Sequence, residues 1–248
     1  MSKTILITGA SRGIGAATAR LAGERGWSVG VNYAGNRDAA EATVNAVEAA
    51  GGKAVAIQGD VADAAAVTAL FDATEQAFGP LDGVFNNAGI LRVASKIADM
   101  DPAVSRRLFD TNVYGAFLVA REAARRMSTS RGGKGGSLVN MSSAAARIGS
   151  PNEFIDYAAS KGAVDAMTLG LAKELGPDGV RVNAIRPGMI DTEIHADSGK
   201  PNRIEEFKHA IPLGRAGSAD EVGELVIWLL DDASSYVSGA LIDVGGGR

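Results

Sequence analysis

Short apolar runs punctuated by glycine set the rhythm of this chain. Hydrophobic runs over 4–8, 29–33, 54–58, 83–85, 138–141, 181–185 and 240–244 are short and bounded by turn residues, which predicts seven buried strands. Between them, stretches of helical character predict helices over 14–25, 38–50, 63–78, 101–127, 157–175 and 220–230. Asp63 reads as an N-cap, Asp101-Pro102 as a helix start, and Gly26, Gly51-Gly52, Gly79-Pro80 and Gly176-Pro177 as stops. Strict alternation of strand and helix predicts an α/β fold, a doubly wound parallel seven-stranded sheet covered on both faces in three αβα layers. The segment 189–215 breaks the rhythm. It is polar, contains Pro201 and Pro212, and follows a strand end, where ligands sit in such sheets, so it predicts a substrate lid within a single domain spanning 1–248.

Composition narrows the chemistry. Lys and Arg total 25 against 29 Asp and Glu, a net charge of −4, and no basic stripe points to nucleic acid. The absence of cysteine excludes disulfides and thiolate metal sites. Two histidines, His195 and His209, argue against a His-rich metal site or a His-based triad and read as loop residues. No metal is expected. No run approaches ~18 apolar residues, so no membrane span is expected. The first apolar run is too short for a signal sequence, which makes a cytoplasmic address the expectation.

Two stretches carry candidate chemistry. The turn Thr8-Gly9-Ala10-Ser11-Arg12-Gly13-Ile14-Gly15 joins the first strand to the first helix. Glycines there let the backbone approach a pyrophosphate, and free N–H groups at the helix start favour negative charge, the device of a Rossmann-type fold. The spacing is Gly-x-x-x-Gly-x-Gly. Strand two ends on Asn32-Tyr33-Ala34-Gly35-Asn36-Arg37 with no carboxylate before Asp38. An acid at that point usually holds a plain ribose. Its absence, with Arg12 and Arg37 nearby to pair with a 2′-phosphate, points to NADP, with NAD as the alternative. The second stretch is Ser142-Ser143 at a strand end, followed by Tyr157 and Lys161 at helical i,i+4 spacing. A neighbouring ammonium favours an ionised phenol, and a serine hydroxyl alongside can hold a carbonyl oxygen. Those groups suit proton transfer to and from an alcohol oxygen.

Taken in order, the motifs Thr8-Gly9-x-x-x-Gly13-x-Gly15, Asp60-Val61, Asn86-Asn87-Ala88-Gly89, Asn112, Ser143, Tyr157-x-x-x-Lys161, Pro187-Gly188 with Thr192, and Tyr236-Val-Ser-Gly239 resemble the short-chain dehydrogenase/reductases of the single-domain branch. The resemblance spans essentially the whole chain. It looks closest to bacterial glucose-type dehydrogenases, 3-oxoacyl-carrier-protein reductases and neighbouring oxidoreductases. The resemblance implies that Tyr157 is the acid/base and that Ser143, rather than Ser142, binds the substrate oxygen. Lys161 would bind the nicotinamide ribose and lower the tyrosine pKa, and Asn112 would kink its helix and hold a water in a proton relay to Lys161. Gly9, Ser11, Arg12, Gly13, Ile14, Gly15, Asn32 and Tyr33 would bind the cofactor. So would Asp60 and Val61 at the adenine, Asn87, Ala88 and Gly89 at the ribose, and Pro187, Gly188, Ile190 and Thr192 at the carboxamide and pyrophosphate.

The expected activity is hydride transfer between NADP(H) and a small carbonyl or secondary alcohol of sugar, ketone or 3-oxoacyl type. The alternative is a catalytically silent NADP-binding regulator or scaffold. The family's habit implies a homotetramer, pairing the helices 101–127 and 157–175 through Leu108, Val113, Phe117 and Leu118 and the small residues Ala158, Ala159, Gly162, Ala163, Ala166 and Gly170, with the last strand added. Ser143 and Tyr157 stand fourteen residues apart, one more than is usual in the family. The loop 147–156, with Arg92, Val93, Ala94, Ser95, Arg147, Glu153, Phe154 and the lid, is the expected substrate wall. Arginines at such a mouth suit a polar or anionic substrate.

Overall fold

A computed structural model describes residues 2–193, 198–199 and 202–248. The seven predicted strands are present: β1 Thr4–Ile7, β2 Ser28–Tyr33, β3 Lys53–Gln58, β4 Gly83–Asn86, β5 Gly136–Met141, β6 Val180–Pro187 and, last in the chain, Leu241–Val244. All pair in parallel, in the order β3-β2-β1-β4-β5-β6 and then Leu241–Val244 at the edge. The strand order reverses between β1 and β4, so a crevice opens beyond their C-terminal ends, the usual ligand position in a doubly wound sheet.

Helices α1 Gly13–Glu24, α2 Arg37–Ala49 and α3 Ala64–Phe78 cross over between the first strands. Asp63 caps α3 by accepting from the amides of Ala65 and Ala66. The single helix expected over 101–127 is three consecutive pieces: α4 Pro102–Phe109, a π-helical turn Asp110–Gly115, and α5 Ala116–Met127. The widened turn carries Asn112, and π-bulges concentrate at functional sites. A short helix α6 Ala145–Ile148, unforeseen in the sequence, follows β5. Helix α7 Ile155–Leu175 starts two residues before Tyr157.

Within 189–215, Ile190–Asp191 (β7) pairs with Gly217–Ser218 (β8) beyond it, and α8 covers Arg203–Phe207. His209 lies exposed in a single turn beyond α8, whereas His195 and Pro201 fall outside the described residues. Ser218 then caps α9 Ala219–Leu230 in a capping box with Glu221, and Leu241–Val244 is β9.

Each sheet face carries its own core. Ile5, Val29, Val31 and Val139 pack with Leu21, Val44, Val226 and Ile227 of α1, α2 and α9. Leu6, Val84, Leu138 and Val182 pack with Leu70, Phe71, Val119 and Val164 of α3, α5 and α7. Strands buried on both faces explain why the runs read as continuous rather than alternating. Among the described residues, no helix is long and apolar enough to cross a membrane, and no cluster of acids and histidines has the makings of a metal site.

Candidate active site

A cleft of about 580 Å³ runs along the C-terminal ends of the strands, within the range of ligand pockets. Its floor at one end is the glycine turn. Helix α1 begins without a side-chain cap and without an acid in its first turn, so its leading N–H groups stay available to an anion. A polar clamp holds that turn. Asn32 Oδ1 accepts from Gly9 N at 3.0 Å, and its amide donates to the carbonyls of Tyr33, Ile57 and Gly59. Asn87 Nδ2 donates to the carbonyls of Thr8 and Gly9, while Thr8 Oγ1 accepts from the amides of Asn87 and Ala88. A Cβ on Gly15 would lie 2.5 Å from Gly9 O and 2.7 Å from Asn87 Nδ2. Only glycine fits there.

These contacts revise two expectations. Asn32 and Asn87 border the cleft, but their side chains are spent on the backbone, so they shape the turn rather than reach out from it. Tyr33 also lines the cleft, largely buried at the end of β2. Ser11, Arg12, Gly13, Ile14, Val61, Ala88, Gly89, Pro187, Gly188, Ile190 and Thr192 line the cleft. Arg37 does not. It is exposed and turned toward Glu41 at 3.6 Å. Asp60 lines the cleft paired with Arg107 at 2.6 Å. Burial works against its ionisation, but the Ala62 amide and the Arg107 guanidinium hold its carboxyl below the ordinary range. Arg107 was not anticipated; it reaches the cleft from α4, far along the chain from Asp60.

At the other end the structure brings Ser143, Tyr157 and Lys161 together. Ser143, whose Oγ accepts from Ala145 N at 3.1 Å, stands by the Tyr157 phenol and works to lower its pKa. Ser142 is buried and donates to Lys161 O, a structural task. Lys161 Nζ sits 5.5 Å from the centroid of the Tyr157 ring and donates to Met141 O at 2.8 Å. The anticipated lowering of the phenol pKa is absent in the protein alone. Burial pushes Tyr157 up, against the influence of Ser143, and burial pushes Lys161 down to about 8, against the attraction of Asp165. The lysine faces the ring and a carbonyl rather than the phenol oxygen, and desolvation dominates both groups.

Asn112 is not a wall of the cleft. Its Oδ1 accepts from Ile90 N at 2.8 Å, and its Nδ2 donates to Ile90 O at 2.9 Å and to Ser160 Oγ at 3.4 Å. A Cβ on Gly89 would lie 3.3 Å from Asn112 Oδ1 and 3.5 Å from Lys161 Nζ. The amide thus holds the 89–90 backbone against the lysine, with both Nδ2 hydrogens engaged and Oδ1 accepting one bond.

The substrate walls also differ from expectation. Arg92 is buried, with Nε 2.6 Å from Asp156 Oδ2 and Nη1 on Val93 O and Ser95 Oγ. Asp156 accepts the Tyr157 amide at 2.9 Å. Burial works against its charge, yet Arg92, that amide and Ser105 hold it below the ordinary range. The pair staples the 92–95 loop to the first turn of α7. Val93 points outward and Arg147 pairs with Asp243 at 3.0 Å. Phe154 does line the cleft, joined by Ile148, Ser150, Met189, Arg203 and Arg248. Ser150 and Asn152 adopt left-handed φ of 44 and 65, so the loop between Ser143 and Tyr157 is held in an unusual path.

Known proteins resemble the chain along nearly all of its length. A family model described as enoyl-(acyl carrier protein) reductase matches residues 9–248. The uncharacterized oxidoreductase YgfF of Escherichia coli (strain K12) is 48% identical over 243 residues, 98% of each chain. The 3-oxoacyl-[acyl-carrier-protein] reductase FabG of Staphylococcus aureus (strain Mu50) is 37% identical over 251 residues, 100% of this chain and 98% of that one. A crystal structure of a short-chain type dehydrogenase/reductase from Mycobacterium marinum superposes with a TM-score of 0.92 at 36% identity, covering 99% of this chain and 94% of the other. Matches of this length and identity place the chain in the short-chain dehydrogenase/reductase family of NAD(P)-dependent oxidoreductases.

Proposed function

We propose that the protein reduces a small ketone, or oxidises the matching secondary alcohol, with NADP(H). The observation that carries this reading is the meeting of Ser143, Tyr157 and Lys161 at the wall of a cleft whose other end is an uncapped, glycine-lined helix start. The nicotinamide would supply or accept the hydride. The chain's own residues handle the oxygen. The Tyr157 phenol, raised further by burial, is protonated at neutral pH and can donate its proton to a carbonyl oxygen that Ser143 steadies. Lys161 lies one helical turn on and reaches the ribose side of the cleft, with Gly89 and Asn112 fixing its surroundings.

NADP is favoured over NAD because Ala34, Gly35 and Asn36 border the cleft beyond β2 without a carboxylate, and Arg12 lines the same cleft. Tighter binding of NADPH than of NADH by fluorescence titration supports that preference, and the reverse order removes it. The reaction is tested with a carbonyl panel followed by NADPH absorbance. Turnover on a ketone supports the reading; tight NADPH binding without turnover on any carbonyl favours a silent regulator.

The same reading includes self-association. Val104, Tyr114, Phe117 and Leu169 stay exposed on the outer faces of α4, the π turn, α5 and α7, and β9 is an unpaired sheet edge. Leu108 and Leu118, expected there, are instead buried within the subunit. A homotetramer is the expected state in light scattering, and a monomer at micromolar concentration contradicts it.

A further inference from the structure

The substrate end of the cleft has a charge pattern that the reaction chemistry does not use. Arg203, on α8, lies over Phe154 at 5.1 Å and over Phe207 at 5.0 Å from the ring centroids. Phe154 is the residue from which α7 starts, and its carbonyl accepts from Ala158 N, so the stacked guanidinium stands beside the Tyr157 turn. Arg248 approaches the same Phe207 ring at 5.6 Å. Both arginines line the cleft. Glu153 faces Arg203 with Oε2 2.6 Å from Nη1, but the pair is misaligned, and Nη1 is a buried donor with no hydrogen bond among the described residues. Glu153 itself does not line the cleft. Among the described residues, no carboxylate pairs with Arg248. The lining acids, Asp60 and Glu193, stand at the cofactor end, Asp60 with Arg107 and Glu193 near Gly13.

Two cations therefore face the substrate space and one acid backs them. Stacking between two phenyl rings fixes the Arg203 plane in advance, which lowers the ordering cost of a charge-assisted hydrogen bond. Resting on the oxidoreductase reading above, we propose that Arg203 and Arg248 form a subsite for a carboxylate carried by the substrate, so that the enzyme acts on short oxo acids or their hydroxy acids. Glu153 is a positioning residue that holds Arg203 and competes with the substrate's anion for it.

The test compares acetoacetate and levulinate with their methyl esters as probes of NADPH-linked turnover. The acid-to-ester ratio of kcat/KM exceeds one in the parent and falls as salt is raised. Arg203→Gln and, separately, Arg248→Gln each reduce that ratio by about 10-fold to 100-fold, whereas Arg203→Lys retains part of it. Glu153→Gln moves the ratio the other way, by lowering KM for the acid more than for the ester. A merely structural latch cannot produce opposite signs; it would lower both substrates alike in both variants. Equal kcat/KM for acid and ester in the parent, or parallel losses in Arg203→Gln, overturns the subsite. If no probe is turned over, calorimetric binding of levulinate to the NADPH-loaded protein separates the two claims. Binding that Arg203→Gln abolishes upholds the subsite and counts against reduction of these oxo acids, and absence of binding overturns the subsite.

Discussion

The two ends of the cleft are built by different means. At the cofactor end the surface is mostly backbone: a glycine turn pinned by Asn32, Asn87 and Thr8, with the side chains spent on holding it. At the substrate end the surface is side chains drawn from three remote segments: Phe154 before α7, Arg203 on α8 held against Phe207, and Arg248 beyond β9. Backbone recognition is rigid and demands particular residues at particular steps. Side-chain recognition is adjustable, which fits a fold that keeps one cofactor chemistry while its substrates vary.

Substitutions that disturb one end and spare the other sharpen this contrast. The largest structural effect is expected at the staple between the ends. Arg92→Met leaves the Asp156 carboxylate buried without its cation, which costs about 3–5 kcal/mol. The double variant with Asp156→Leu recovers much of that loss in chemical denaturation, because both charges are then gone. An undiminished stability in Arg92→Met contradicts the assignment. The Asp156 pKa is held below its unfolded value of 3.8, so the pair's contribution is present above that pH and is lost on acidification through the lower folded value.

Next comes Gly15→Ala. The added methyl meets Gly9 O and Asn87 Nδ2, and such overpacking costs about 1–3 kcal/mol. NADPH affinity falls with it, while the charge preference for substrate, set at the other end, stays. Loss of both together would mean the ends are not separable.

A smaller, pH-dependent effect belongs to Lys161. Its ammonium is buried and titrates near about 8, below its unfolded 10.5. Between those values the unfolded chain binds more protons, so the apo protein gains stability as pH rises from about 8 toward 10.5. On the proposed role of Lys161 at the ribose, affinity for NADPH runs the opposite way, declining above about 8 as its charge is lost. Lys161→Met, freed of the buried charge, melts no lower than the parent at neutral pH and loses the pH dependence of cofactor affinity. A marked fall in melting temperature with the pH dependence intact contradicts this account.

The same contrast explains what the sequence made legible. Strand runs and the stops at Gly26, Gly79 and Gly176 gave the sheet and its crossovers because burial on both faces and tight turns write themselves locally. Thr8 to Gly15 could be read for the same reason. Tyr157 and Lys161 were legible as a helical pair, but the direction of their pKa shifts was not, since desolvation depends on everything packed around them. Arg92 looked like a substrate wall because its partner Asp156 lies 64 residues away. Arg107 and Arg248 gave no local signal, although the triple glycine before Arg248 marks a chain path that bends back. Asn112 was picked out by motif, yet the use of its amide on Ile90 became visible only with the π turn in place.

The central claim, that Tyr157 delivers the proton for a hydride transfer in this cleft, meets its most direct test in isotope transfer from NADPH deuterated at the reactive nicotinamide carbon. The account predicts deuterium on the carbinol carbon of the product with the parent enzyme. In Tyr157→Phe it predicts unchanged NADPH binding with transfer slowed about 10²–10⁴-fold. Parental transfer rates in Tyr157→Phe, or bound NADPH that passes deuterium to no carbonyl in the parent, would contradict it.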